Sequence, residues 1–146
     1  MKKSKLMQER IRRVKLLFKE LGFNFFNSEI QGTLFTTGFE NKEGFQAELS
    51  IDRKCRFLEI SFTFFFPLEM AEFLKLRLEE MLKLCYEYGC YVILADNEQE
   101  LSFSVFSKIY YFGLNYYSLK ETIKDFQSCV SSLTELLKIT GDANKK

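Results

Sequence analysis

The stretch Phe45-Gln46-Ala47-Glu48-Leu49-Ser50-Ile51, the turn Asp52-Arg53-Lys54, and the run from Arg56 to Phe66 decide the fold. Phe45, Ala47, Leu49 and Ile51 alternate with Gln46, Glu48 and Ser50. In the second run Leu58, Ile60, Phe62, Phe64 and Phe66 fall on one face, with Glu59, Ser61 and Thr63 on the other. Alternate side chains of a strand point to opposite faces, so each segment buries one face and wets the other. The short polar turn between them makes the pair antiparallel.

Working outward toward the N-terminus, Asn41-Lys42-Glu43-Gly44 reads as a hairpin turn with glycine supplying a positive φ. It is preceded by a strand over 30–40, in which Gly32 marks a bulge. Residues 23–29 contain Phe23, Phe25 and Phe26 interrupted by Asn24, Asn27 and Ser28, and read as a loop. Residues 4–21 read as a helix, because Met7, Ile11, Val14, Phe18 and Leu21 recur in steps of four and three and Gly22 ends the run.

Toward the C-terminus, Pro67 ends the strand and opens a helix over 68–88 that stops at Gly89. Its apolar positions cover about half of its circumference, more than packing on one sheet requires. A short apolar strand follows over 91–96. The next strand, 101–112, sets Leu101, Phe103, Val105, Ile109 and Tyr111 against Ser102, Ser104, Phe106, Lys108 and Tyr110. The last helix is expected to open on a capping box, Ser118-Leu119-Lys120-Glu121, and to end near Gly141. The expected fold is α+β: a five-stranded, mainly antiparallel sheet with helices, in the order α-β-β-β-α-β-β-α. It forms a single domain over 1–146, with an ordered core over about 4–139 and a flexible tail over 140–146.

Composition agrees with a globular domain. The 146 residues include 47% hydrophobic residues, 17 Phe and 7 Tyr, but one Pro and no Trp, which leaves little room for linkers. Net charge is +1, with residues 1–22 at +6 and the remainder at −5. The charged run Gln8 to Arg13 interrupts any apolar signal core after Lys2, Lys3 and Lys5, and no uncharged stretch of about 18 residues is long enough to span a bilayer. A cytoplasmic protein is expected.

Chemistry-bearing patterns are sparse. There is no His, so the side chain best suited to general acid–base work near neutrality is absent. Glu79-Glu80 reads as a solvated helix face. Cys55, Cys85, Cys90 and Cys129 form no C-x-x-C pair and read as free buried thiols; Cys55, between Lys54 and Arg56, is the one considered for reactivity. No phosphate loop or dinucleotide fingerprint occurs. The expectation is a protein that is not an enzyme and that uses no metal or cofactor.

Two surfaces remain. Arg10, Arg12, Arg13 and Lys15 cluster on the first helix and form the candidate contact for nucleic acid or an anionic membrane. The second is apolar and aromatic: Leu76 and Arg77 on the second helix, then Phe106, Tyr110, Phe112, Tyr116 and Tyr117, too many rings for strand alternation to bury at once.

The element order, together with Lys108-Ile109-Tyr110-Tyr111-Phe112-Gly113-Leu114-Asn115 and the helix opening at Ser118, resembles the type III secretion chaperone-like fold, which includes the YbjN-like family. The resemblance spans about residues 4–139. It implies a non-enzymatic homodimer that holds an extended segment of a client protein on apolar patches and sheet edges, or a regulator of that build. The basic first helix departs from the acidic character of secretion chaperones. The readings set beside this one are nucleic-acid or anionic-membrane binding through the first helix, and a small-ligand pocket between sheet and helices.

Overall fold

The structure, a computed structural model, describes the backbone of residues 5–144 and the side chains of residues 5–138. The elements are α1 (Lys5–Glu20), β1 (Asn24–Gln31), β2 (Leu34–Glu40), β3 (Gln46–Asp52), β4 (Phe57–Pro67), a single 3-10 turn (Leu68–Met70), α2 (Ala71–Glu87), β5 (Tyr91–Asp96), β6 (Glu100–Tyr110) and α3 (Tyr116–Asn144). The class is α+β, as expected from the sequence. The sheet has six strands rather than five, in the order β1-β2-β3-β4-β6-β5. The β1–β2, β2–β3, β3–β4 and β5–β6 pairs are all antiparallel.

The added strand is β1, in the segment expected to be a loop. Two local devices hide it in the sequence. Asn27 has a positive φ of 52°, and the β1–β2 register shifts between Phe26 and Glu29, so apolar alternation fails across the bulge. Gly32 is not itself a bulge. With φ 62° it is the first residue of the two-residue loop Gly32-Thr33, the place a type II′ hairpin turn reserves for glycine, and it cuts the expected 30–40 strand in two.

Contacts group the chain into two units. One comprises the described residues of Met1–Ser61 with Lys108–Thr122, the other Phe62–Ser107 with the described residues of Ile123–Lys146. In the first unit, Phe35, Phe39, Leu49, Ile51, Leu58 and Ile60 are buried with Met7, Val14 and Phe18 of α1. Phe18 is the centre, meeting Phe23, Phe25 and Phe39 edge-on at ring distances of 6.0, 5.5 and 5.0 Å. Such pairs add about 0.5–1.5 kcal/mol each beyond burial.

The bulge is held by Thr37, a buried polar residue of β2. Its hydroxyl lies 3.0 Å from the Phe26 carbonyl, 2.9 Å from the Gly38 carbonyl and 2.7 Å from the Ser28 hydroxyl. On the opposite face the Phe26 ring covers Gly38 across the strand pair; a Cβ at Gly38 would collide with Phe26 Cζ.

In the second unit, Leu74, Met81 and Cys85 of α2 are buried together with Phe103 and Val105 of β6 and Ile123, Phe126, Cys129, Val130 and Leu133 of α3. Helix α2 begins at Ala71, behind the 3-10 turn, rather than at 68. Helix α3 opens three residues earlier than its expected box. The Asn115 side-chain carbonyl accepts from the Ser118 N–H at 2.9 Å, and Ser118 Oγ accepts from the Asn115 N–H at 3.0 Å. Ser118 is thus the returning partner of a capping box rather than its cap, and Asn115 is the N-cap. The helical backbone continues past Gly141 to Asn144. The tail flexibility expected over 140–146 concerns side chains, and residues 145 and 146, that lie outside the described residues.

Because the Phe26 ring occupies the space of a Gly38 side chain, Gly38→Ala should destabilise the protein by about 1–3 kcal/mol in urea denaturation. Adding Ala to a Phe26→Ala background should cost little further, since the clash is then gone. Equal losses in both backgrounds would refute the contact.

Candidate protein-binding groove and sheet edge

Helix α2 carries more apolar residues than its buried set of Leu74, Met81 and Cys85. Leu78, Leu82 and Tyr86 form a second row at a spacing of four, and residues so spaced sit one above another on a helix. Tyr86 is 85% exposed. This row borders two hollows between α2 and the end of the sheet. One, of about 210 Å³, is lined by Leu74, Leu78 and Met81 of α2 and by Leu94, Leu101 and Phe103 of the strands, with Ala71 and Lys75 at its rim. The other, about 550 Å³, is lined by Leu82, Cys85, Tyr86, Gly89, Cys90, Tyr91 and Val92. Lys75 is the one charged side chain among these lining residues. Both hollows contain residues of β5: Leu94 lines the first, and Tyr91 and Val92 line the second.

β5 is the last strand in the sheet order, paired to β6 on one side only. Its six residues match β6 one to one without a bulge. Tyr91 to Ala95 contain no charge and no proline. On the face of β5 that carries Ile93, Ile93 is 54% exposed and Phe65 of β4 is exposed, while Tyr91, which also lines the second hollow, stacks on Phe106 at 5.2 Å. Edge strands are normally protected by charge, proline, bulges or cover. The opposite edge, β1, has such protection: a bulge, Asn27, Ser28 and Glu29.

The residues singled out from the sequence fall as follows. In the second unit, Leu76 is 79% exposed on α2, and Arg77 is half-buried and pairs with Glu80 at 3.2 Å. Phe106 is half-buried under Tyr91. In the first unit, Tyr110 packs edge-on to Phe57 at 5.4 Å, Tyr116 meets Tyr117 at 5.3 Å, and Phe112 is 97% exposed. The groove residues Leu78, Leu82, Tyr86, Val92 and Leu94, and the edge residue Ile93, were not among them. The signal available was the surplus width of the α2 stripe beside an uncharged strand.

Two arginines of the basic cluster have internal uses. Arg10 donates to the backbone carbonyls of Arg53 and Cys55 at 3.2 and 3.1 Å and lies over the Tyr111 ring, 4.3 Å from its centroid. Arg13 donates to the Leu114 carbonyl. Arg12 pairs with Glu9, and Lys15 borders a shallow hollow that Glu29 also lines. Burial pushes the Tyr111 hydroxyl up to about 12, against the pull of Arg10, and burial raises Glu59 against the pull of Lys108. Neither group lines the α2–β5 groove. Among the described residues, no helix is long and apolar enough to cross a membrane.

Among solved structures the chain is similar to an uncharacterized protein from Methanothermobacter thermautotrophicus, seen in a crystal structure. The match has 16% identity, spans 92% of this chain and 98% of that one, and has a TM-score of 0.69. At that identity the likeness concerns the fold alone. No protein-family model and no curated protein matches the chain.

The contacts of Arg10 make it a fastener of α1. Arg10→Ala should lower stability by about 1–2 kcal/mol in urea denaturation, through two lost charge-assisted hydrogen bonds and the ring contact. Lys15→Ala should stay within about 0.5 kcal/mol of the parent. Equal effects would mean that Arg10 is an ordinary surface cation.

Proposed function

We propose that this chain is a non-enzymatic, cytoplasmic, dimeric protein-binding module of chaperone-like type, which takes an extended segment of a partner polypeptide on the free edge of β5. The observation that carries this reading is an unprotected edge strand, uncharged from Tyr91 to Ala95, lying beside an apolar groove. Strand addition needs both parts: backbone donors and acceptors along the edge to bind the segment, and hollows for its alternate side chains to select it. Val92 and Leu94 would meet one face of the incoming strand over the groove, and Ile93 with Phe65 the other. The hollows are open and almost wholly apolar, which suits a chain laid along them better than an enclosed small molecule held by a few convergent polar groups. The assignment to the secretion chaperone-like and YbjN-like group belongs to this proposal. It is supported by the matching run of elements from β2 onward, to which β1 adds a strand. The cytoplasmic compartment is supported by four free cysteines.

Fluorescence anisotropy with a labelled peptide of alternating Val and Thr should show saturable binding. Ile93→Lys or Val92→Pro should weaken that binding by tenfold or more, about 1.4 kcal/mol. The first places a charge on the edge, and the second removes a backbone donor. Absence of saturable binding to any extended apolar peptide, or indifference to both substitutions, would remove the reading.

Dimerisation is assigned to a different surface, the exposed rings Tyr110, Phe112 and Tyr117 of the first unit. Tyr117 is 75% exposed, and exposed aromatic groups of this kind are typical interface anchors. Light scattering should give twice the chain mass. The double substitution Phe112→Glu with Tyr117→Glu should halve it while leaving peptide binding at β5 in place. A monomeric parent would exclude the dimer without touching the β5 edge.

A further inference from the structure

The free edge of β5 has a measured length, two hollows along it and charged groups at both ends, all within the second unit. Leu94 lines the 210 Å³ hollow and Val92 the 550 Å³ hollow. They stand two positions apart, so they share one face of the strand. A strand laid along β5 repeats that spacing, with side chains on one face about 7 Å apart. Two apolar side chains at alternate positions therefore reach the two hollows. From Tyr91 to Asp96 the edge spans about 17 Å, the reach of a segment of the same length as β5.

Both ends of the edge are fixed by local hydrogen bonds. Ahead of β5, Gly89 takes a φ of 72°, its N–H donates to the Tyr86 carbonyl at 3.1 Å, and the Cys90 N–H donates to the Cys85 carbonyl at 2.9 Å. This Schellman ending sets the last turn of α2, with Glu87 exposed on it, directly before the strand. At the far end the Asn97 side-chain carbonyl accepts from the N–H groups of Gln99 and Glu100 at 2.7 and 2.9 Å, and so locks the β5–β6 turn. Asp96 and Glu98 are exposed there. Residues 62–107, which supply all the lining residues, carry eight acidic and three basic side chains, a net charge of −5. Two of the bases are matched, Arg77 with Glu80 at 3.2 Å and Lys83 with Glu79 at 3.7 Å, and the third, Lys75, stands at the rim of the first hollow. Among the described residues, Glu87, Asp96 and Glu98 take part in no ion pair. The groove is thus apolar along its length and negative at its ends.

We propose that the partner segment is cationic: an extended stretch with apolar side chains at two alternate positions and a Lys or Arg at each end, one beside Glu87 and the other beside Asp96 and Glu98. The proposal rests on the strand-addition reading above and names the chemistry of the strand that is added. The apolar positions and the backbone edge supply the binding. The charged ends supply choice, because rim charges steer encounter and reject like-charged segments more than they add affinity. An acidic segment with the same apolar pattern would meet the same hollows, but it would bring its carboxylates against those of the protein.

The test is fluorescence anisotropy on the whole protein with three labelled peptides. They share a core of alternating Val and Thr and differ only in carrying Lys, Ala or Glu at both ends. At low salt the Lys-ended peptide should bind about tenfold more tightly than the Ala-ended one, and the Glu-ended one about tenfold more weakly. The gaps should close as sodium chloride rises toward about 1 M, where the screening length is about 3 Å. The double substitution Asp96→Lys with Glu98→Lys, on an exposed turn and checked for its fold by circular dichroism, should remove most of the Lys preference. Val92→Pro should weaken all three peptides alike. Equal affinity for the three, with Val92→Pro still weakening them, would overturn the cationic segment and leave strand addition standing. A Lys preference that survives high salt or the double substitution would do the same. Failure of all three to bind removes strand addition and this inference with it. An edge covered by a second copy would show as a light-scattering mass that falls on Ile93→Lys, and it too would overturn the inference.

Discussion

An open sheet leaves two rows of backbone hydrogen-bonding groups without strand partners, and this constraint organises the molecule. The chain treats its two edges differently. At β1, Asn27 kinks the strand, and the Thr37 hydroxyl meets the Phe26 carbonyl beside the kink. The edge there is uneven and polar, a poor template for another strand. At β5 the pairing with β6 is regular along all six residues, and nothing in Tyr91 to Ala95 repels a neighbour. A surface of this kind is an aggregation hazard unless it has a use, and the apolar row of α2 beside it supplies side-chain pockets that a mere hazard would lack.

The legible parts of the fold were those with regular periodicity. α1, β3, β4, β5 and β6 lie within a residue or two of where the alternation and helical spacing put them. What stayed hidden had a local cause each time. β1 was obscured because its bulge throws Phe25 and Phe26 out of phase with Ile30. The β1–β2 hairpin was obscured because a two-residue turn at Gly32-Thr33 leaves hardly any polar interruption between strands. The start of α3 was misplaced because Ser118 fits two roles in a capping box, and only the geometry of Asn115 tells which it plays.

The candidate site was half legible. The α2 stripe announced itself as too wide, but one sequence carries no strand order, so nothing marked β5 as an edge. Strand order depends on how crossovers pack, which single-strand patterns do not encode. The aromatic segment after β6 was visible as a surplus, and the exposed ring of Phe112 is part of that surplus. The basic helix was visible too, but the partners of Arg10 and Arg13 lie far along the chain.

Those two arginines have a bearing on the birth of the protein. Arg10 is fastened to residues 43 and 45 positions later, and Arg13 to one 101 positions later. A ribosome releases the chain from the N-terminus, so the first helix emerges long before its last anchor exists. Until Arg53 and Cys55 follow, it must wait on the nascent hairpins, held by Met7, Val14, Phe18 and the ring neighbours of Phe18. Long-range closures of this sort slow folding and lengthen the time for which greasy surface is open to other chains. Early positive charge, concentrated in that first helix, would keep waiting nascent chains apart by mutual repulsion until Leu114 arrives to complete the clasp.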